Sequence, residues 1–86
     1  DEPVDEGEDP LQRMEREERA WQIQLAIHEL SEEHRTILVL REMEGCCYET
    51  ISEILELPVG TVRSRLHRAR LHLKDRLQTV LEEKKT

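Results

Sequence analysis

Residues 58–76, PVGTVRSRLHRARLHLKDR, gather the side chains best suited to meeting a polyanion. Between Val59 and Lys74 stand Arg63, Arg65, Arg68, Arg70 and Lys74, with two histidines and no carboxylate. Guanidiniums can grip a phosphate or the edge of guanine through paired N–H donors, so such a run offers nucleic-acid binding. The rest of the chain is acidic, and the net charge over 86 residues is -7. Residues 1–34 hold 12 Asp/Glu and 3 Arg, whereas residues 35–86 hold 8 acidic and 10 basic side chains. The chain is bipolar, and where its charge sits bears more on partners than the total does.

The other chemistry-bearing residues point to no enzyme: no nucleophile stands with a base, and there is no Gly-rich phosphate loop or paired carboxylate set. Cys46 and Cys47 are sequence neighbours, which could form only a strained disulfide, and they are read as reduced thiols with a packing role. No Cys/His spacing suits zinc, and His67 and His72 do not share a helix face. Neither a metal nor a cofactor is implied. Apolar runs fall short of the roughly 20 residues that cross a bilayer, so a cytoplasmic protein without membrane contact is the expectation.

The elements that must position the basic run are helical, and the length suits one small domain. Residues 1–9 are expected to be an acidic interdomain linker or tail, and residues 10–86 the folded domain. Asp9-Pro10 reads as a helix start, with Asp as N-cap and Pro at the first helical position. Leu11, Met14, Ala20, Trp21, Ile23, Leu25, Ile27 and Leu30 then follow at helical spacing, predicting a helix over 10–29 whose apolar face packs on the core. Ser31 caps a second helix over 32–44, with Ile37, Leu38, Leu40 and Met43 inward and Gly45 ending it. A short third helix over 48–55 turns Ile51, Ile54 and Leu55 inward, and Pro58 breaks it. The fourth, over 58–82, buries Val62, Leu66, Ala69, Leu73, Leu77 and Val80. The fold class is all-α: four helices, the last two in helix-turn-helix proportions. Ser52 is small where those helices cross, Leu57 plugs the turn, and Pro58 sets the start of the last helix.

With Val62 toward the core and 100° per residue, Gly60, Ser64, His67 and Leu71 point outward, flanked by Arg63 and Arg70 on one side and Thr61 and Arg68 on the other. Arg63, Ser64, His67, Arg68 and Arg70 are candidates for a major groove, and Gly60 and Thr61 for backbone phosphate.

The run LSEEHRTILVLREMEGCCYETISEILELPVGTVRSRLHRARLHLKDRL resembles region 4 of sigma-70-type factors, most of all the extracytoplasmic-function class, with PVGTVRSR its most specific part. The resemblance covers residues 20–81 or thereabouts. It implies a domain that recognises the -35 promoter element, docks on the flap-tip helix of the RNA polymerase β subunit, and is a target of anti-sigma factors. It places Arg63, Ser64, His67 and Arg68 toward the -35 groove and Thr61 near phosphate. It also implies a separate region 2 for the -10 element, so the chain is expected to be the C-terminal part of a longer protein.

Two positions depart from the family pattern. Cys47 stands where a Ser or Thr usually caps the third helix, which weakens the cap by about 1 kcal/mol. Cys46 stands where a buried Leu is frequent. Two competing readings are a response-regulator output domain, which PVGTVRSR disfavours, and a helical protein-interaction module anchored by Leu11, Met14 and Trp21.

Overall fold

The computed structural model describes residues 7–84, with side chains through residue 82; the expected tail falls, for residues 1–6, outside the described residues. Among the described residues there are four helices and no strand. Helix α1 spans Pro10–His28 and opens on a reciprocal capping box. The Gln12 amide donates to Asp9 Oδ1 at 2.7 Å, and the Asp9 amide donates to Gln12 Oε1 at 3.1 Å. Pro10 sits where a helix needs no N–H. Just before it, Glu8 accepts from Arg16 Nε and Nη2 at 2.9 and 3.1 Å.

Helix α2, Glu32–Leu38, is capped by Ser31, and Arg35 reaches back to donate to the His28 carbonyl at 2.9 Å, which fastens the α1–α2 corner. The expected second helix then changes type. Val39–Met43 is a π-helical segment, closed by the Glu44 amide on the Val39 carbonyl at 3.0 Å. Gly45, at φ 68, takes the left-handed conformation that ends it.

Helix α3, Tyr48–Leu55, starts at Cys47, whose side chain caps no backbone amide and instead lies 3.1 Å from Thr50 Oγ1. Its far end holds a feature without a sequence signal: Glu56 adopts the left-handed conformation, φ 55 and ψ 48. Ser52 does more than stay small at the crossing. Its carbonyl accepts the Leu57 amide at 3.0 Å and its hydroxyl donates to the Leu57 carbonyl, so one residue closes the turn twice. Helix α4, Val59–Lys84, follows directly, with the Thr61 and Val62 amides both bonded to the Pro58 carbonyl at 3.0 Å.

The main core joins Leu30, Ile37, Leu38, Ile51, Val62, Leu66 and Ala69, with Leu40, Cys46, Tyr48, Leu55, Leu57 and Leu73 partly covered around it. The buried stripe of α4 is thus the expected one, and Cys46 packs as a small apolar group. Further along α4, Val80 is buried, and Gln22 and Ala26 are buried on α1, which crosses it there. Several inward expectations are corrected. Leu11, Met14 and Trp21 are 64%, 65% and 61% exposed, because the residues of α1 that become buried, Gln22 and Ala26, lie in its later part. Ala20 and Ile23 are exposed as well. Met43 and Ile54 lie at the rim rather than in the core, each on the open side of a short element.

Candidate nucleic-acid interface

Burial of Val62, Leu66 and Ala69 fixes the rotation of α4 and leaves the opposite side open. On that side Gly60, Arg63, Ser64, His67, Arg68 and Arg70 are exposed and Thr61 is half-buried. A Cβ built on Gly60 would meet no atom within 4 Å, so packing inside the chain does not demand glycine there. The Ser64 hydroxyl donates to the Thr61 carbonyl at 3.1 Å, which leaves its oxygen as an acceptor for an outside group.

The cations of α4 fall into two classes. Arg63 and Arg68 make no hydrogen bond or ion pair among the described residues, whereas Arg65 and Arg70 do. Arg65 Nη2 lies 3.8 Å from Glu33 Oε1 on α2. Arg70 Nε and Nη2 donate to Glu42 Oε1 at 3.0 and 2.6 Å. The Glu42 hydrogen bond is the main reason the guanidinium of Arg70 holds its proton even more tightly than usual. The run itself has no carboxylate, yet the π segment brings one from 28 positions away.

The same segment supplies Arg41. Its guanidinium carbon lies 4.8 Å from the centroid of the Tyr48 ring, and Arg63's lies 5.6 Å from that centroid. Arg41 Nη1 also donates to the Cys46 carbonyl at 2.9 Å. Arg41, Glu42 and Tyr48 are therefore neighbours of the expected site that sequence reasoning missed. The one available signal was compositional: Tyr48 is the single tyrosine of the chain, placed at the start of the first helix of the helix-turn-helix.

On the opposite flank, His34 of α2 meets His72 of α4 edge to face, with ring centroids 4.6 Å apart. Nδ1 of His34 is sealed from solvent and has no hydrogen-bond partner among the described residues. Burial, then the neighbouring His72, and then Arg68 and Arg65 push its pKa below 6.5, against an opposing pull from Glu33. Among the described residues no cluster of three or more His, Cys, Asp or Glu side chains could hold a metal ion. Nor is any helix among the described residues long and apolar enough to cross a membrane.

The arrangement is a rigid helix whose exposed N-terminal half offers guanidinium, imidazole and hydroxyl groups over about three turns, the dimensions of a major-groove reader. Comparison with known proteins agrees. A family model described as sigma-70, region 4 matches residues 20–73. The extracytoplasmic-function RNA polymerase sigma-E factor of Haemophilus influenzae is 49% identical over 55 residues, which cover 64% of this chain and 29% of that protein. The RNA polymerase sigma-H factor of Pseudomonas aeruginosa is 44% identical over 85 residues, covering 91% of this chain and 44% of that one. The sigma-E factor of Escherichia coli is 44% identical over 55 residues, 64% of this chain and 29% of that protein. The chain spans less than half the length of these curated relatives.

Proposed function

The chain belongs to the sigma-70 region 4 family, and on that premise we propose that it recognises the -35 element of promoter DNA through the outer face of α4. The observation that carries this reading is the pair Arg63 and Arg68, both exposed and both without an ion-pair partner among the described residues, on a helix whose opposite side is locked into the core. Arg63, Ser64, His67 and Arg68 face the groove. Gly60 and Thr61, at the N-terminal end of α4, lie against backbone phosphate, where the helix dipole favours an anion. Arg70 reaches the adjacent strand once it leaves Glu42. The role is that of an adaptor in transcription initiation in the cytoplasm, with no catalysis of its own.

RNA polymerase is the second partner of this reading, with the β flap tip as docking element. The apolar stripe of Leu11, Met14 and Trp21 on the uncovered part of α1 supports a protein-binding role beside the DNA-binding one, for polymerase or for an anti-sigma factor. The test is binding of duplexes carrying the -35 element against scrambled duplexes across a salt series. Affinity should fall with salt by about 0.9 log units per log unit for each phosphate neutralised. Equal affinity for both duplexes at every salt concentration would overturn sequence-specific recognition.

A further inference from the structure

Tyr48 stands where three elements meet. It opens α3, packs partly covered against the core, and receives Arg41 from the π segment and Arg63 from α4 on its ring. Both guanidiniums lie inside the roughly 6 Å range over which an aromatic face attracts a cation. They use the ring differently. Arg41 is tied a second time, to the Cys46 carbonyl, and so belongs to the scaffold. Arg63 has no hydrogen bond or ion pair among the described residues, so its N–H donors stay available while its flat group rests near the ring.

That distinction matters for base reading. An exposed arginine samples many rotamers, and a bidentate contact to a base edge needs one guanidinium plane in one direction. An aromatic surface beside the guanidinium narrows the sampling before any ligand arrives. Arg41, its guanidinium held by the Cys46 carbonyl, keeps the Tyr48 ring in place in turn. We propose that Tyr48 is a positioning residue for Arg63: it presents the guanidinium to the groove and sets selectivity at one base pair without touching a base. This deepens the reading of α4 as the DNA-reading helix and rests on it.

The experiment measures binding of the 86-residue chain to -35 duplexes that differ one base pair at a time, at one fixed salt concentration. The variants are wild type, Tyr48→Phe, Tyr48→Leu, Arg63→Ala, and Tyr48→Leu combined with Arg63→Ala. Arg63→Ala should lose about tenfold of the preference at one base pair. Tyr48→Leu should lose about threefold or more at that same base pair, within the range of a cation–π contact, and leave affinity for an unrelated duplex unchanged. Tyr48→Phe, which keeps the ring, should retain the preference, and the double variant should match Arg63→Ala there. Uniform weakening on all duplexes by Tyr48→Leu, or a loss that adds to that of Arg63→Ala, would overturn the proposal. Absence of base preference in the wild type would overturn the DNA-reading assignment itself, which is a different result. Should Tyr48→Leu fail to fold by circular dichroism, the wild-type chain decides by NMR. Arg63 side-chain resonances displaced upfield by the ring support the proposal, and those of a freely moving arginine overturn it.

Discussion

Removing the charge of Glu42 should strengthen DNA binding. In the free protein Arg70 spends its Nε and Nη2 donors on Glu42 Oε1, at 3.0 and 2.6 Å. A phosphate that recruits Arg70 must therefore displace a carboxylate. The two side chains are 48% and 51% exposed, so water and salt screen the pair heavily. Screened pairs of this kind are worth about 0.2–1 kcal/mol. At 25 °C the upper figure corresponds to about a fivefold change in affinity. Glu42→Gln keeps the shape and removes the charge, so it should tighten binding to a -35 duplex by about two- to fivefold at low salt, and by less as salt rises.

Titration by fluorescence anisotropy across a salt series separates the causes. Arg70→Ala should flatten the slope of log K against log salt by about 0.9, the share of one phosphate. Glu42→Gln should steepen that slope only slightly, because its gain shrinks as salt rises while Arg70 meets the same phosphate in both proteins. Glu82 provides a control for net charge, since it lies about 18 Å further along α4, beyond the screening length of about 8–10 Å. Glu82→Gln should have almost no effect. If Glu42→Gln tightens binding equally with Arg70 already replaced by Ala, the gain is diffuse charge and the displacement account is wrong.

Three further outcomes follow from particular residues. Because His34 has a pKa below the ordinary 6.5, the folded state binds fewer protons than the unfolded one just below that pH, so the contribution is complete above pH 6.5 and lost as pH falls. Thermal melts from pH 7.5 to 5.5 should then fall more steeply for the wild type than for His34→Gln, and equal slopes would contradict this. Glu56→Gly should stabilise the chain by about 0.5–1 kcal/mol in urea unfolding, because glycine carries no penalty at φ 55 while losing more freedom on folding; a loss of stability would mean that the turn needs the glutamate side chain. Leu11→Asp should change stability by no more than about 0.5 kcal/mol, since Leu11 is exposed near the start of α1, and a loss above 2 kcal/mol would show that the α1 stripe is packed after all.

Helix boundaries were legible because local chemistry writes them. Asp9-Pro10, Ser31, Gly45 and Pro58 each act within a few residues of their own position, and each sits at an observed end. The π segment was not legible: Val39–Met43 holds ordinary helix formers, and a π turn differs from an α turn by one residue of hydrogen-bond register. Glu56 was hidden for a related reason, since left-handed residues are recognised by being Gly or Asn. The α1 stripe was overread because periodicity tells which side of a helix is apolar, and it is silent on whether another element lies opposite. At the candidate site, the facing directions on α4 followed from helix geometry alone. The partners Glu42, Glu33 and Tyr48 did not, because they arrive from other elements through tertiary placement.

Those partners obey a simple angular rule that links the core to the site. Measured around α4 from Val62 at 100° per residue, Arg65 lies about 60° and Arg70 about 80° from the buried direction. Both are close enough to the packed elements to meet Glu33 and Glu42, and both are paired. Arg63 lies about 100° and Arg68 about 120° away, and neither makes an ion pair among the described residues. Pairing thus neutralises the two arginines nearest the packed elements and leaves the two further round without an ion pair among the described residues. The selection is made by the core: Val62, Leu66 and Ala69 fix the rotation, and a slip by one residue would swing each side chain by about 100°. Arg63 would then turn away from Tyr48, and a different set of arginines would face the packed elements. Packing behind the helix therefore decides which guanidiniums are left unpaired on its exposed side.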